Sequence, residues 1–315
     1  MRKNKLLYFK GVLLNKSNFD LLNSYFTLIK VKDICEAKKI LNKKKILAIY
    51  CDQKFFYDNS FLSHFTDLKY LITSTTSEQF IDQEFCKKKK IVIISLKKEQ
   101  NFLSKITSTA EHSLGLMIAI SRNYYQAIKS VIDGNFNRRP FGGLKMLSQS
   151  NLGIIGYGRL GKITKKICKP IFKNIFVCDK KIDGFSFKSN LKTVMSKSDF
   201  ISIHIPLQNN LNFFSKKNIK IKKNFFLINT SRGEIADENF IIQLLKKKKL
   251  LGYATDVLRG EFNMNFKIKE NIIFRNLHKY NILITPHIGG STKDAWKSTE
   301  YKVIRNLLKT INNTK

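Results

Sequence analysis

The stretch that decides the fold is Asn151-Leu152-Gly153-Ile154-Ile155-Gly156-Tyr157-Gly158-Arg159-Leu160-Gly161. Leu152 to Ile155 is a short apolar run, the length of a buried parallel strand. Gly156, Gly158 and Gly161 follow as Gly-x-Gly-x-x-Gly, and Lys162 to Lys169 reads as a helix. The first glycine permits a tight turn and the second lets backbone approach a pyrophosphate. The third lets the helix pack closely on the strand. An anion at that point meets the free N–H groups of the helix N-terminus. A second apolar run, Ile175 to Cys178, ends at Asp179, 18 residues beyond Gly161, about where an acid meets a ribose 2′-hydroxyl. A glycine triplet alone is weak, and an ordinary βαβ turn with an acidic strand end would show the same residues. Strand, helix and acid together point to NAD, with Gly156, Gly158, Arg159, Leu160, Gly161 and Asp179 as its contacts. Lys180 and Lys181 leave a little room for NADP, but Asp179 repels a 2′-phosphate, which makes NADP the lesser option.

Beyond Asp179 the strand–helix alternation continues. Phe200 to Ile203 ends in His204-Ile205-Pro206, and Phe225 to Ile228 ends in Asn229-Thr230-Ser231-Arg232-Gly233. Leu251 to Thr255 ends at Asp256, and Ile282 to Ile284 ends in Thr285-Pro286-His287. Four consecutive strands therefore finish in polar or charged side chains at the carboxyl edge of one sheet, the edge where open α/β sheets bind ligands. Upstream, residues 1–100 carry strands at Leu6–Phe9, Ile46–Tyr50, Tyr70–Thr73 and Ile91–Ser95. Helical segments lie between them at Asn18–Phe26, Ile34–Leu41, Ser60–Phe65 and Gln79–Lys87. Ser74-Thr75-Thr76-Ser77 directly follows a strand and reads equally as a ligand edge or as a helix N-cap cluster. Residues 99–109 read as a crossing segment. Thr109 to Ile132 reads as one long helix, Gly134 to Ser150 (with Gly142-Gly143) as loop, and Lys293 to Leu308 as an amphipathic helix returning to the first domain.

At 315 residues the chain is long enough for two domains, and 43% hydrophobic with 12% aromatic residues argues against disorder. No apolar run approaches the roughly 18 residues of a membrane span, and Lys10 breaks the only signal-peptide-like start, so a cytoplasmic, non-membrane protein is expected. Cys35, Cys51, Cys86, Cys168 and Cys178 show no paired or metal-ligand spacing, which fits reduced thiols and no metal site. The net charge of +35 raises a nucleic-acid hypothesis. Yet the cations are nine Arg against 49 Lys, and base reading favours the bidentate guanidinium. The Lys runs 43–45, 87–90 and 246–249 each follow a helical segment, where cations suit the dipole, so solvated charge rather than specific nucleic-acid binding is expected.

With these pieces in place, the chain resembles the D-isomer-specific 2-hydroxyacid dehydrogenases, a group that includes D-3-phosphoglycerate dehydrogenase and hydroxypyruvate or glyoxylate reductases. The resemblance runs through Leu68-Lys69-Tyr70 with Thr75-Thr76, Ser108 to His112, the glycine triplet, Ser198-Asp199 to Pro206, Asn229 to Gly233, Asp256-Val257 and Thr285 to Thr292. It implies two Rossmann-like parallel-sheet α/β domains with a cleft between them. A flavodoxin-like substrate domain would cover 1–101 plus 291–315, and an NAD-binding domain 102–290. It implies a catalytic trio of Arg232, Glu261 and His287. Arg232 would present a planar fork to the substrate carboxylate and carbonyl, and His287 would pass the proton. Glu261 would hold the ring and favour its charged form. It further places Asp256 near the nicotinamide carboxamide, His204, Pro206, Thr230 and Ser231 along the cofactor, and Thr75, Thr76 and Ser77 at the substrate carboxylate. A homodimer through the Thr109–Ile132 stretch and a small 2-hydroxy or 2-oxo acid substrate follow from the same resemblance. So does an alternative, a dinucleotide-sensing corepressor-like protein on the same fold. Departures are Ser77 where relatives have glycine, Phe262 where they have proline after the glutamate, and Tyr253 and Thr255 before Asp256.

Overall fold

The computed structural model describes residues 3–41, 45–142, 145–180, 189–263 and 265–313. Readings that fall on Lys43, Lys44, Gly143 and Lys181 lie outside the described residues. The chain divides into two compact units, Met1–Leu103 with Thr292–Lys315, and Ser104–Ser291.

The first unit runs β1 (Asn4–Phe9), α1 (Lys16–Tyr25), β2 (Phe26–Val31), α2 (Ile34–Leu41), β3 (Ile46–Tyr50), α3 (Asn59–Leu62), β4 (Tyr70–Ile72), α4 (Gln83–Lys88), β5 (Val92–Ile94) and α5 (Gln100–Leu103). Its strands are all parallel in the order β2-β1-β3-β4-β5, the flavodoxin-like arrangement. Leu6 and Leu7 point to opposite faces and are both fully buried, as a sheet covered on both sides requires. Asn15, Asp58 and Asp82 cap α1, α3 and α4 through side-chain oxygens. The C-terminal helix, Lys293–Asn312, belongs to this unit. Its buried Glu300 accepts from Asn15 Nδ2 at 3.1 Å and from Asn18 Nδ2 at 3.0 Å, which fastens it to the start of α1. β2 is a strand that the apolar pattern does not announce. Only Phe26 and Val31 of it are buried, because it is the edge of the sheet.

The second unit opens with α6 (Ser108–Ser121) and α7 (Tyr124–Ile132), not one helix. The break falls at Asn123, whose left-handed backbone (φ 52°) no helix interior accepts. There follow β6 (Asn151–Ile155), α8 (Arg159–Cys168), β7 (Asn174–Cys178), α9 (Leu191–Lys197), β8 (Phe200–Ile203), β9 (Phe225–Asn229), α10 (Glu238–Lys246), β10 (Leu250–Thr255), α11 (Ile272–Arg275) and β11 (Ile282–Ile284). The expected loop before β6 contains two short 3-10 turns, Arg139–Phe141 and Leu147–Gln149. All six strands are parallel, in the order β11-β10-β9-β8-β6-β7. The direction of winding reverses between β6 and β8, so the loops after these two strands flank the crevice that such a switch point opens. Every residue of β9 is buried, and each large apolar side chain contributes roughly 1.5–3 kcal/mol. A strand held so firmly fixes the position of the polar loop at its carboxyl end. The expected two-sheet, all-parallel α/β architecture is what the chain adopts.

Candidate active site

Because the six strands of the second unit run the same way, Gly156, Asp179, His204, Asn229 to Arg232, Asp256 and Thr285 to His287 all emerge at one edge. The glycine loop is built by close approach. Gly156 has φ +97°, and a Cβ there would stand 2.6 Å from the backbone carbonyl of His204. At Gly161 a Cβ would stand 2.0 Å from the carbonyl oxygen of Gly156, so only glycine lets α8 start this near β6. Gly158, the N-cap of α8, differs: a Cβ there would meet nothing within 4 Å. The protein leaves that side of the loop open, in front of the α8 N-terminus, which is the space a pyrophosphate needs. Asp179 Oδ2 accepts the backbone N–H of Tyr157 at 2.6 Å, tying the end of β7 to the loop. Arg159 Nη1 donates to the carbonyl of Ile106 at 3.3 Å, and Leu160 is half-buried in the first turn of α8. These residues fit a dinucleotide.

Neighbouring residues line the same edge. His204 is buried, its Nε2 lies 2.9 Å from Ser202 Oγ, and its Nδ1 has no hydrogen-bond partner among the described residues. Burial pushes this imidazole down to about 4, so the ring is neutral. Ser231 Oγ donates to the carbonyl of Ile205 at 2.8 Å, and Thr230 Oγ1 pairs with Ser113 Oγ at 2.8 Å. Pro206 is exposed, its carbonyl accepting from Asn210 Nδ2 at 2.8 Å.

Of the trio, Glu261 and His287 are in contact: Oε1 to Nδ1 is 2.7 Å. A carboxylate only accepts, so Nδ1 carries the proton of this bond and Nε2 is left as the working nitrogen. Glu261 is itself held by the backbone N–H of Leu258, which donates to Oε2 at 3.2 Å. Phe262 stands edge-on to the His287 ring, centroids 5.6 Å apart, so the residue that replaces the relatives' proline supports the imidazole sterically. His287 adopts φ 54°, uncommon outside glycine. Arg232 is half-buried and its Nη1 donates to the carbonyl of Ser231 at 2.6 Å. Burial pushes its guanidinium below the usual range, while the Glu261 and Glu234 carboxylates pull it back up. Arg232 thus lies within the electrostatic reach of Glu261.

Asp256 holds the loop that carries His287. Its Oδ1 accepts from Thr285 Oγ1 at 2.5 Å and Ile288 N at 2.9 Å, and its Oδ2 accepts from Gly289 N at 2.7 Å. Its backbone carbonyl takes His287 N at 2.9 Å. Burial works to raise this carboxyl, but bonds from His112, Thr285, Gly289 and Ile288 outweigh it and keep the group below the usual carboxylate range. His112 Nε2 reaches Thr285 Oγ1 at 2.9 Å and Asp256 Oδ1 at 3.3 Å, a contact made across 173 positions of chain that the sequence alone does not reveal. Glu238 and Arg259 are two further polar residues of this neighbourhood without a sequence signal of their own.

The remaining predicted residues lie in the first unit. Thr75, Thr76 and Ser77 follow β4, with Thr75 Oγ1 donating to the Ser77 carbonyl at 3.1 Å and Leu96 N donating to the Thr75 carbonyl at 2.9 Å. Ser77 does not have a positive φ, so serine in place of glycine brings no backbone strain. Among the described residues no group of three or more His, Cys, Asp or Glu is placed to hold a metal ion, and no helix is long and apolar enough to cross a membrane.

A doubly wound sheet with a glycine loop at its switch point, and an imidazole–carboxylate pair on the same edge, defines a dinucleotide-binding type of site with a proton-carrying pair. Residues 114–289 match the NAD binding domain of D-isomer specific 2-hydroxyacid dehydrogenases. The chain belongs to the D-isomer specific 2-hydroxyacid dehydrogenase family, and NAD is the cofactor of the domain it carries. It is 30% identical to D-3-phosphoglycerate dehydrogenase of Methanocaldococcus jannaschii over 227 residues, 69% of this chain and 41% of that enzyme. It is 31% identical to a 2-hydroxyacid dehydrogenase homolog of Zymomonas mobilis, over 64% of this chain and 65% of that protein. The chain thus spans less than two thirds of the length of these relatives. Its fold is similar to that of the pyruvate reductase of Chlamydomonas reinhardtii, with a TM-score of 0.82 at 20% identity, covering 99% of this chain and 97% of that one.

Proposed function

We propose that the protein interconverts a D-2-hydroxy acid and its 2-oxo acid, with NAD as the hydride carrier. The observation that carries the reading is the 2.7 Å bond between His287 and Glu261, set near Arg232 on the sheet edge that also bears the glycine loop. When bound, the nicotinamide supplies hydride acceptance or donation at the substrate carbon. Arg232 binds the substrate carboxylate, for which a half-buried guanidinium fork is suited. His287 Nε2 gives its proton to the carbonyl oxygen during reduction and takes the hydroxyl proton during oxidation. Glu261 fixes the ring tautomer and its orientation, leaving Nε2 to carry the transferred proton. The glycine loop, Arg159, Leu160, Asp179, His204, Pro206, Thr230, Ser231 and Asp256 are the proposed cofactor contacts, and Asp179 favours NAD over NADP.

The first unit is the proposed substrate domain, with Thr75, Thr76 and Ser77 as carboxylate contacts on the strength of the resemblance. A homodimer through the α6–α7 stretch is supported by the exposure of Tyr124, Ile128, Val131 and Ile132 on α7. A cytoplasmic setting is supported by five free cysteines. The test is NADH oxidation with glyoxylate, pyruvate, hydroxypyruvate and 3-phosphohydroxypyruvate, wild type beside Arg232→Ala. Turnover of at least one acid, reduced on the order of a hundredfold or more in the variant, is the expected result. Absence of turnover with all four, in protein that binds NADH, removes the reading.

A further inference from the structure

Two loops must hold their places for the proposed chemistry. One carries Arg232 and continues through the 3-10 turn Gly233–Ile235; the other carries Glu261 at the end of Leu258–Gly260. Their backbones touch: a Cβ on Gly233 would stand 2.1 Å from Leu258 C and 2.2 Å from Arg259 N. Touching backbones set a distance but do not stop sliding. Arg259 supplies the directional bonds. Its Nη2 donates to the carbonyls of Glu234 and Ala236, each at 3.1 Å, and to the side-chain oxygen of Asn212. Asn212 N in turn donates to the Glu234 carbonyl at 2.9 Å. On the main chain, Arg259 N donates to Glu238 Oε1 at 3.0 Å and Gly260 N donates to Glu234 Oε1 at 3.0 Å. Glu238 is buried at the start of α10, and Asn271 Nδ2 donates to its two oxygens at 3.1 and 2.9 Å. The loop bearing Glu261 is therefore pinned from both sides to the segment that follows Arg232, and α10 anchors the whole.

We infer that Arg259, its backbone N–H held by the buried Glu238 and its side chain bonded to the segment after Arg232, is a positioning residue that locks the Glu261 loop to the Arg232 loop and so keeps the Glu261 carboxylate facing His287. The inference rests on the proposed function and assigns Arg259 no contact with substrate or cofactor. A guanidinium suits the task because its rigid planar frame holds Nη2 against the Glu234 and Ala236 carbonyls and the Asn212 side chain together, whereas an ammonium sits on a flexible stem. A catalytic carboxylate displaced by about 1 Å loses on the order of a hundredfold in rate, so the lock matters beyond stability.

The experiment uses Arg259→Gln, Arg259→Lys and Glu238→Gln in the full chain, with two readouts. The first is kcat for the 2-oxo acid that the wild type reduces best, together with the NADH dissociation constant by fluorescence. The expected result is a tenfold to hundredfold fall in kcat for Arg259→Gln, a smaller fall for Arg259→Lys, and unchanged NADH affinity. The second readout needs no turnover: the ring proton resonance of His287, assigned with His287→Asn, is followed against pH by NMR. In Arg259→Gln it should titrate as it does in Glu261→Gln. Where Arg259→Gln fails to fold, Arg259→Lys and Glu238→Gln should show the same change in smaller measure. Folded variants with wild-type kcat and a wild-type His287 titration overturn the inference, even if their melting temperature drops. No turnover by the wild type, combined with an altered titration in the variants, removes the proposed function and leaves the lock standing.

Discussion

Gly156 and His287 both follow a parallel strand of the same sheet, and both have a left-handed backbone, φ +97° and φ 54°. At Gly156 the surroundings allow nothing else, since a Cβ would collide with the His204 carbonyl. At His287 a side chain stands where the backbone disfavours one by a cost on the order of 1 kcal/mol. The compensation is visible: Asp256 accepts Ile288 N and Gly289 N through its carboxylate and His287 N through its carbonyl, and Thr285 and His112 complete the net. The glycine loop is shaped to let something in, while the histidine loop is held in an unfavoured shape to aim one nitrogen. Positive φ at a strand end thus has two different meanings here, and the residue type tells them apart.

The largest effect that would break this comparison is on catalysis. His287→Asn, a residue that tolerates the left-handed region, should keep the fold and NADH binding while kcat falls by a factor on the order of 10² to 10⁴. Steady-state kinetics with fluorescence titration checks both halves, and retained turnover would show that the aimed nitrogen is not the proton carrier. Next come the glycines as a pair. Gly156→Ala should lower stability by about 2–4 kcal/mol in denaturant unfolding. Gly158→Ala, at φ −69° with open space around it, should stay within about 0.5 kcal/mol of wild type yet bind NADH more weakly.

The third prediction concerns His204, whose buried ring is held at about 4 against an ordinary 6.5. The folded form excludes a proton that the unfolded chain binds, so the stability this group contributes is present above pH 6.5. It is lost as pH falls toward 4, by about 3 kcal/mol in all. Melting temperatures from pH 7 to 4 should fall less steeply in His204→Gln. The smallest effect is a comparison at one position: His287→Asn should be more stable than His287→Ala by about 0.5–1 kcal/mol, because asparagine accepts positive φ more readily. Equal stabilities would mean that the loop relaxes out of that conformation when the ring is gone.

Most of the second sheet was legible from the chain, because buried parallel strands are short apolar runs and their polar ends are abrupt. Phe225 to Asn229 shows this best. The edge strand Phe26–Val31 was not legible: with one face open to solvent its apolar residues no longer run together, and Phe26 joins the preceding helix pattern. The break at Asn123 escaped for a related reason, since the apolar positions before and after it continue in phase. Arg232, Glu261 and His287 came from spacing and resemblance, and the structure supplies the contact between the last two. Glu238 and Arg259 could not be found that way, and for His112 the resemblance marked the segment but not the partner. Their importance lies in hydrogen bonds to residues 21 to 173 positions distant, and a lone polar residue carries no periodic signal of such a partner.

The hydrogen bonds that Asn15 and Asn18 donate to Glu300 bear on how the chain is made. The whole of Ser104–Ser291 is inserted between the two pieces of the first unit. At a ribosome the second unit can complete its sheet while Asn15 and Asn18 still wait for the carboxylate they will share. Of the two units, the one that holds Asn15 and Asn18 waits for the helix Lys293–Asn312 until the whole of Ser104–Ser291 has been made.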